Sequence, residues 1–244
     1  MAVRRIVLFL GALLAACIAS FVVLLLVTPS VGNAGQLAQE IDQAHAAPYP
    51  GVTPPARFVT ALEATEDHRF ASEPGIDPLA LGRIVYSAVR GRGDQGGSTL
   101  YQQLAKMLYT PGDGSLRAKA EQVGLAVKLK YTYSGPEILR FYSDVAYFGH
   151  NFYGLQNASC GYFGVQPGQM SWPQAALLAG LVQAPSVDDP ISNPTAGQAR
   201  EQHVLDRLVS VGAISQASAD SYKSEPLSNL LGHGGGCGSG GGNS

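Results

Sequence analysis

Apolar residues dominate one end of the chain and then recur with a helical period. Ile6 to Val27 is a run of 22 residues without a charge. At about 1.5 Å per residue it reaches roughly 33 Å, enough for a bilayer core of about 30 Å. Beyond it the periodicity is helical nearly throughout, with no sustained apolar/polar alternation. Phe58, Ala61, Leu62 and Thr65 share one face of a first helix. Asp77-Pro78 is an N-cap with proline at the first helical position, opening a helix through Ile84, Val85 and Ala88. Thr99-Leu100-Tyr101-Gln102 fits a capping box heading a helix to Leu108. Ser115 caps another, in which Leu116, Ala120, Val123 and Val127 are spaced for burial, and Pro136 starts the next, through Ile138, Phe141, Tyr142 and Val145. Ser171-Trp172-Pro173 opens Ala175–Ala184, apolar nearly all round and therefore central, stopped by Pro185. Shorter helices near 196–210 and 214–222 follow. The predicted fold class is all-α, with one N-terminal transmembrane helix and long polar loops between short helices.

The ends set the organisation. Arg4 and Arg5 precede the apolar run and no Lys or Arg follows until Arg57, which places the N-terminus in the cytoplasm and the rest outside. A cleaved signal peptide has an apolar core of about 7–15 residues and a small-residue cleavage site. This run is longer and ends in Thr28-Pro29-Ser30, so it reads as an uncleaved signal anchor; Leu14-Ala15-Ala16-Cys17 resembles a lipobox, the rival reading. Residues 1–31 are thus stub and anchor, polar and Pro-bearing 32–56 a linker, 57–231 the folded domain, and Gly-rich 232–244 a flexible tail. Cys17, Cys160 and Cys237 fall in the apolar run, a helix and the tail, and no disulfide framework or zinc spacing emerges. His233 and Cys237 are two metal ligands, which do not make a site. The 16 Lys and Arg against 18 Asp and Glu give a net charge of −2, which argues against a nucleic-acid partner.

Two segments carry candidate chemistry. Glu63 and Glu66 lie one turn apart, with Asp67 next, ahead of His68-Arg69-Phe70. Gly96-Gly97-Ser98-Thr99-Leu100-Tyr101-Gln102-Gln103-Leu104-Ala105-Lys106 combines glycines, which let a ligand approach the backbone, with a helix N-terminus whose N–H groups suit an anion. Gly91–Gly96 also matches G-x-G-x-x-G, but no repeated βαβ pattern follows, so a dinucleotide fold is rejected. Charge is uneven: Arg83 to Arg140 holds nine bases and four acids, while Glu40 to Asp77 holds seven acids and two bases. An acidic segment feeding a basic one suits a carboxylate base beside a phosphate-bearing substrate; two solvated faces remain the bland alternative.

These residues carry a resemblance. Ala64-Thr65-Glu66-Asp67-His68-Arg69-Phe70 with Gly75-Ile76-Asp77 resembles the first signature of the peptidoglycan glycosyltransferases (family 51), which include monofunctional transglycosylases and the N-terminal modules of class A penicillin-binding proteins. Gly96–Lys106 is similar to the second, Ser115–Lys130 to the third, Glu137–Gly149 with Gly154 and Tyr162-Phe163-Gly164 to the fourth, and Ala175–Ser186 to the fifth. Five signatures in order over about 60–195 are specific.

The resemblance implies a lysozyme-like helical domain that polymerises lipid II at the outer membrane face, with lipid II, the growing lipid-linked glycan and the membrane as partners and other cell-wall synthesis proteins as candidates. Glu66 would be the general base, Asp67 its orienting neighbour and Glu121 a second carboxylate. Phe70, Gly97, Ser98, Thr99, Gln102, Gln103, Lys106, Arg117 and Lys119 would bind substrate. The resemblance fixes no cofactor; Mg2+ or Mn2+ could assist in this family, though no metal-ligand spacing shows. The third signature is off register: without gaps its Glu falls on Gln122, and a one-residue slip recovers Arg117 and Glu121. Glu73 stands in place of the family His, Lys130 of Glu, Asp144 of Asn, and Tyr101 and Met107 of Thr and Asn. These departures leave open an impaired lipid-linked-glycan binder, and a lysozyme-like glycan-cleaving enzyme is a third reading. No S-x-x-K or K-T-G occurs, so a monofunctional protein without a transpeptidase domain is expected.

Overall fold

The computed structural model describes residues 2–77, 97–232 and 237. Within them the chain is all-α. The elements are α1 (Ala2–Val27), α2 (Ala34–Ala44), α3 (Ala56–Glu66), α4 (Leu100–Tyr109), α5 (Leu116–Thr132), α6 (Gly135–Val145), α7 (Leu155–Phe163), α8 (Trp172–Leu181), α9 (Pro194–Ser210) and α10 (Gln216–Lys223), with 3-10 turns at Pro167–Gln169 and Leu227–Asn229. An isolated bridge pairs Tyr147 with Tyr153. The helix expected after Asp77-Pro78 and the Gly91–Gly96 segment lie outside the described residues.

α8 is the hub, as its all-round apolarity implies. Pro173 and every residue from Ala175 to Leu181 are buried, and α3, α7 and α9 pack around it. Ser171 and Gln174 form a capping box at its start. Phe58, Ala61 and Leu62 of α3 are fully buried, which leaves Thr65, on the same stripe but one turn further, to face a cavity.

Three expectations need correction. The segment 32–56 is not simply a linker: it contains α2, which buries Ala34, Ala38 and Asp42 against α6. Small alanines on a short polar helix gave a weak apolar signal. The buried face of α5 is also different. Of the four residues spaced for burial Val127 alone is buried; Leu116 is 84% exposed, and Ala118, Leu125, Ala126 and Leu129 go inward with Val127. This helix has two packed sides, because α1 lies along it. Gly124 lets Thr28 and Leu24 of the α1 end approach closely, and Lys128 Nζ donates to the Thr28 and Pro29 carbonyls at 2.6 and 3.0 Å. An apolar pattern serving two partners cannot be phased by one stripe. Finally, Cys160 and Cys237 form a disulfide, a pairing 77 residues apart that no local spacing could reveal, while Cys17 is free. The tail is therefore fastened to α7, and the Gly232 N–H donates to the Tyr162 carbonyl at 2.7 Å.

The α1 helix is long and apolar enough to cross a membrane, with Val3–Val27 unburied by the rest of the chain. Disulfides persist in oxidising compartments. Unfolding and alkylating the purified protein should label one thiol without reductant and three with it, read by mass. Cys237→Ser should lower the Tm, since closing a loop of this length stabilises by up to about 4 kcal/mol.

Candidate functional site

The site forms where α3 ends and α4 begins. Glu66 is the last residue of α3, and Asp67 caps it with a non-helical backbone. The Asp67 Oδ2 accepts the Leu100 N–H at 3.0 Å. That N–H is the first of α4, so an internal carboxylate neutralises the positive end of this helix. Thr99 completes the junction. Its hydroxyl accepts from the Gln102 N–H at 3.1 Å and donates to the Gly75 carbonyl at 2.8 Å, while the Gln102 side chain accepts the Thr99 N–H at 3.0 Å. The capping box read from sequence is present, but Thr99 is buried and its hydroxyl is committed. The helix N-terminus therefore offers less to an outside anion than its sequence suggests.

Against this junction opens a cavity of about 500 Å3. Of the residues expected at the site, it brings together Glu66, Gly97, Ser98, Gln102, Gln103 and Lys106. A smaller cavity of about 90 Å3 adjoins it through Glu66, Gly97 and Ser98 and reaches Asp67, Glu73, Asp77 and Thr99. Glu66 is held from one side by a relay: Tyr142 Oη donates to Gln103 Oε1 at 2.8 Å, and Gln103 Nε2 donates to Glu66 Oε2 at 2.9 Å. Burial pushes the Glu66 carboxyl above its ordinary value; the Gln103 hydrogen bond and the Arg200 charge oppose this, and Asp67 adds to it. The net result is upward, toward the range useful to a general base. Arg200 is itself held by Asp188 at 2.8 Å.

Asp67 and Thr99 border only the smaller cavity, and four expected residues line neither. Phe70 is buried and stacks on Tyr101 with ring centroids 4.8 Å apart. Arg117 and Lys119 are exposed at the start of α5. Glu121 is half-buried and turned away, whereas its neighbour Gln122 lines the cavity and donates to Thr110 Oγ1 at 2.8 Å. A step of one residue turns a helical side chain by about 100°, so the ungapped register is the one whose side chain reaches the cavity. Glu66 is then the one carboxylate among the residues described as lining it.

The cavity also recruits residues the sequence reading missed. Tyr142 and Tyr147 come from the region of α6 and the turn beyond, Gln183 follows α8, and His203 lies on α9. The aromatic positions fell within a helical pattern that announced burial rather than a site. His203 lies outside all five signatures. Among the described residues no three His, Cys, Asp or Glu side chains converge on a metal position.

A transglycosylase family profile matches residues 34–209, beginning at α2. Penicillin-binding protein 1A of Streptococcus oralis is 38% identical over 181 residues, 72% of this chain and 28% of its own. That of Haemophilus influenzae is 32% identical over 194 residues, 79% and 23% of the two chains. This chain thus spans about a quarter of such relatives. A Cupriavidus necator protein provisionally named a transglycosylase is 32% identical over 173 residues, 71% of this chain and 75% of that one. Among solved structures, that of the Haemophilus influenzae protein overlaps with a TM-score of 0.36 and 24% identity over 52% of this chain and 16% of its own, too little to argue from. On the profile and the Cupriavidus match, the chain belongs to the transglycosylase family, that of the peptidoglycan glycosyltransferases.

Proposed function

We propose that the protein polymerises lipid II by inverting glycosyl transfer on the outer face of the membrane that α1 spans, its N-terminus in the cytoplasm. The observation that carries this is Glu66: a carboxylate at the end of α3, raised by burial and oriented by Gln103, opening on a cavity whose far side holds Lys106. Glu66 takes the proton of the acceptor sugar's 4-hydroxyl, the oxygen attacks the donor's anomeric carbon, and the bond from that carbon to undecaprenyl diphosphate breaks. Lys106, with Gly97 and Ser98 at the α4 entrance, stabilises the charge growing on the departing diphosphate. α5 supports the membrane placement: it presents Gln122 to the cavity while Gly124 and Lys128 bind the end of α1. A lipid-linked substrate is thereby met within two turns of the anchor.

One observation favours a second reading. Gln122, rather than a carboxylate, lines the cavity, which suits a family member that binds lipid-linked glycan without extending it. Purified protein with lipid II in detergent separates the two. Polymer from the wild type, reduced at least a hundredfold by Glu66→Gln, a range typical of removing a general base, supports polymerisation. Retained lipid II binding without polymer, with polymer restored by Gln122→Glu, supports the second.

A pH profile provides a further check. The base must be ionised, and its folded value lies above 4.5, so turnover should fall on the acid side at a pH above 4.5. Gln103→Leu removes a bond to the charged form and should move that limb to higher pH; an unmoved limb would dissociate it from Glu66.

A further inference from the structure

Behind Glu66 lies a carboxyl pair for which the transfer reaction has no use. Asp67 and Glu73 are 7% and 5% exposed, and their side chains are hydrogen-bonded to each other. Two carboxyls can bond only if one holds a proton. Asp67 is committed on its other side to the Leu100 N–H, while Glu73 Oε1 has no partner. Tyr101 of α4 lies beside the pair and stacks on Phe70, and Lys130 of α5 lies over both rings, donating to Tyr101 Oη at 3.1 Å and the Ala71 carbonyl at 3.4 Å. The charged and titratable groups facing the pair are Glu63, Glu66 and His68 from α3 and its exit, Arg69 and Asp77, which are ion-paired to each other, and Tyr101, with Lys130 lying over the Tyr101 ring. Among the described residues, no cation stands within salt-bridge distance of either carboxyl.

We propose that Glu73 is a positioning residue for the reaction at Glu66: its protonated carboxyl holds Asp67 as a single anion on the start of α4. Asp67 adjoins Glu66 in the chain, and α4 carries Gln103 and Lys106, so this one contact sets the base against both its orienting amide and the leaving-group cation. If Glu73 loses the proton, two buried anions face each other and the junction is pushed apart.

The sign follows from burial and Asp67, which push Glu73 up to about 8. Its folded value lies above the ordinary 4.5, so the folded state binds the extra proton. Stability from this group is complete below about 4.5, declines as pH rises toward about 8 and is exhausted above it. Turnover should fall through the same upper range.

The inference rests on Glu66 as the base, so the test pairs turnover with a measurement independent of it. Full-length protein in detergent is assayed for lipid II polymerisation and Tm from pH 5 to 9.5, as wild type, Glu73→Gln and Glu73→Ala. Gln keeps a donor that does not titrate. We expect it to flatten the Tm decline and shift the alkaline limb of kcat up by at least one pH unit. Ala, which leaves Asp67 short of a donor, should lower kcat about tenfold with KM changed less than about threefold. A Glu73→Gln limb superimposed on that of the wild type overturns the inference, and does so even if the Tm profile flattens, since Glu73 would then be structural only. No polymer from the wild type at any pH sinks the functional reading and the role with it. Wild-type polymer with unmoved Glu73→Gln limbs sinks the inference alone.

Discussion

The hydrogen bond from the Leu100 N–H to Asp67 is the contact on which the site's geometry depends. It joins the carboxyl-terminal end of α3 to the amino-terminal end of α4, two helix ends of opposite partial charge. Alone, each end would leave unpaired backbone groups facing a partly buried space. One carboxylate resolves part of this, and Thr99 and Gln102 resolve more through their capping box and the bond to Gly75. Glu66, the Gln103 amide bonded to it and Lys106 therefore sit on two helices fixed to one another rather than on loops. On the proposed reading of Glu66 as the base, such placement keeps a proton acceptor within reach of a hydroxyl without reorganisation.

A second constraint couples this junction to the membrane. Lys128 binds carbonyls at the end of α1, where the helix leaves its last acceptors unpaired, and Gly124 removes the side chain that would hold the two helices apart. The same helix, α5, packs closely on α4 and presents Gln122 to the cavity. One wall of the cavity is thus rigidly referenced to the anchor. The orientation of the cavity relative to α1 is built into a helix packing.

What could be read from sequence was mostly local. The capping boxes at Thr99 and Ser171 and the burial of α8 depend on residues within a turn or two of each other. That Glu66 and the α4 polar face meet at one cavity was legible from the two short segments that carry them. What was not legible depended on partners far along the chain. α5 meets two partners, so one apolar stripe does not phase it; separately, the third signature read with a one-residue slip points to Glu121, where Gln122 lines the cavity. α2 shows only alanines to α6, and Cys160 finds Cys237 across the helices between them. His203 arrives from α9 with nothing in its own neighbourhood to mark it.

The departures from the family pattern also divide on physical grounds. Glu73, Tyr101 and Lys130 form one packed cluster: Lys130 bonds to Tyr101, Tyr101 stacks on Phe70 beside the carboxyls, and Glu73 bonds to Asp67. Any of them alone would leave a buried charge or donor uncompensated, at a cost of about 1–3 kcal/mol or more. Together, each meets part of another's requirement, so the set behaves as a single exchange that keeps Asp67 in place. Asp144 is similar in kind, buried and receiving the Gly51 N–H away from the large cavity. Gln122 is different. It faces the cavity itself, with Thr110 satisfying its amide and no charged partner. The cluster bears on how Glu66 is supported; Gln122 bears on what the cavity presents. On that division, the proposed role of Glu73 belongs to the support behind Glu66, and the character of the cavity itself turns on one position of α5.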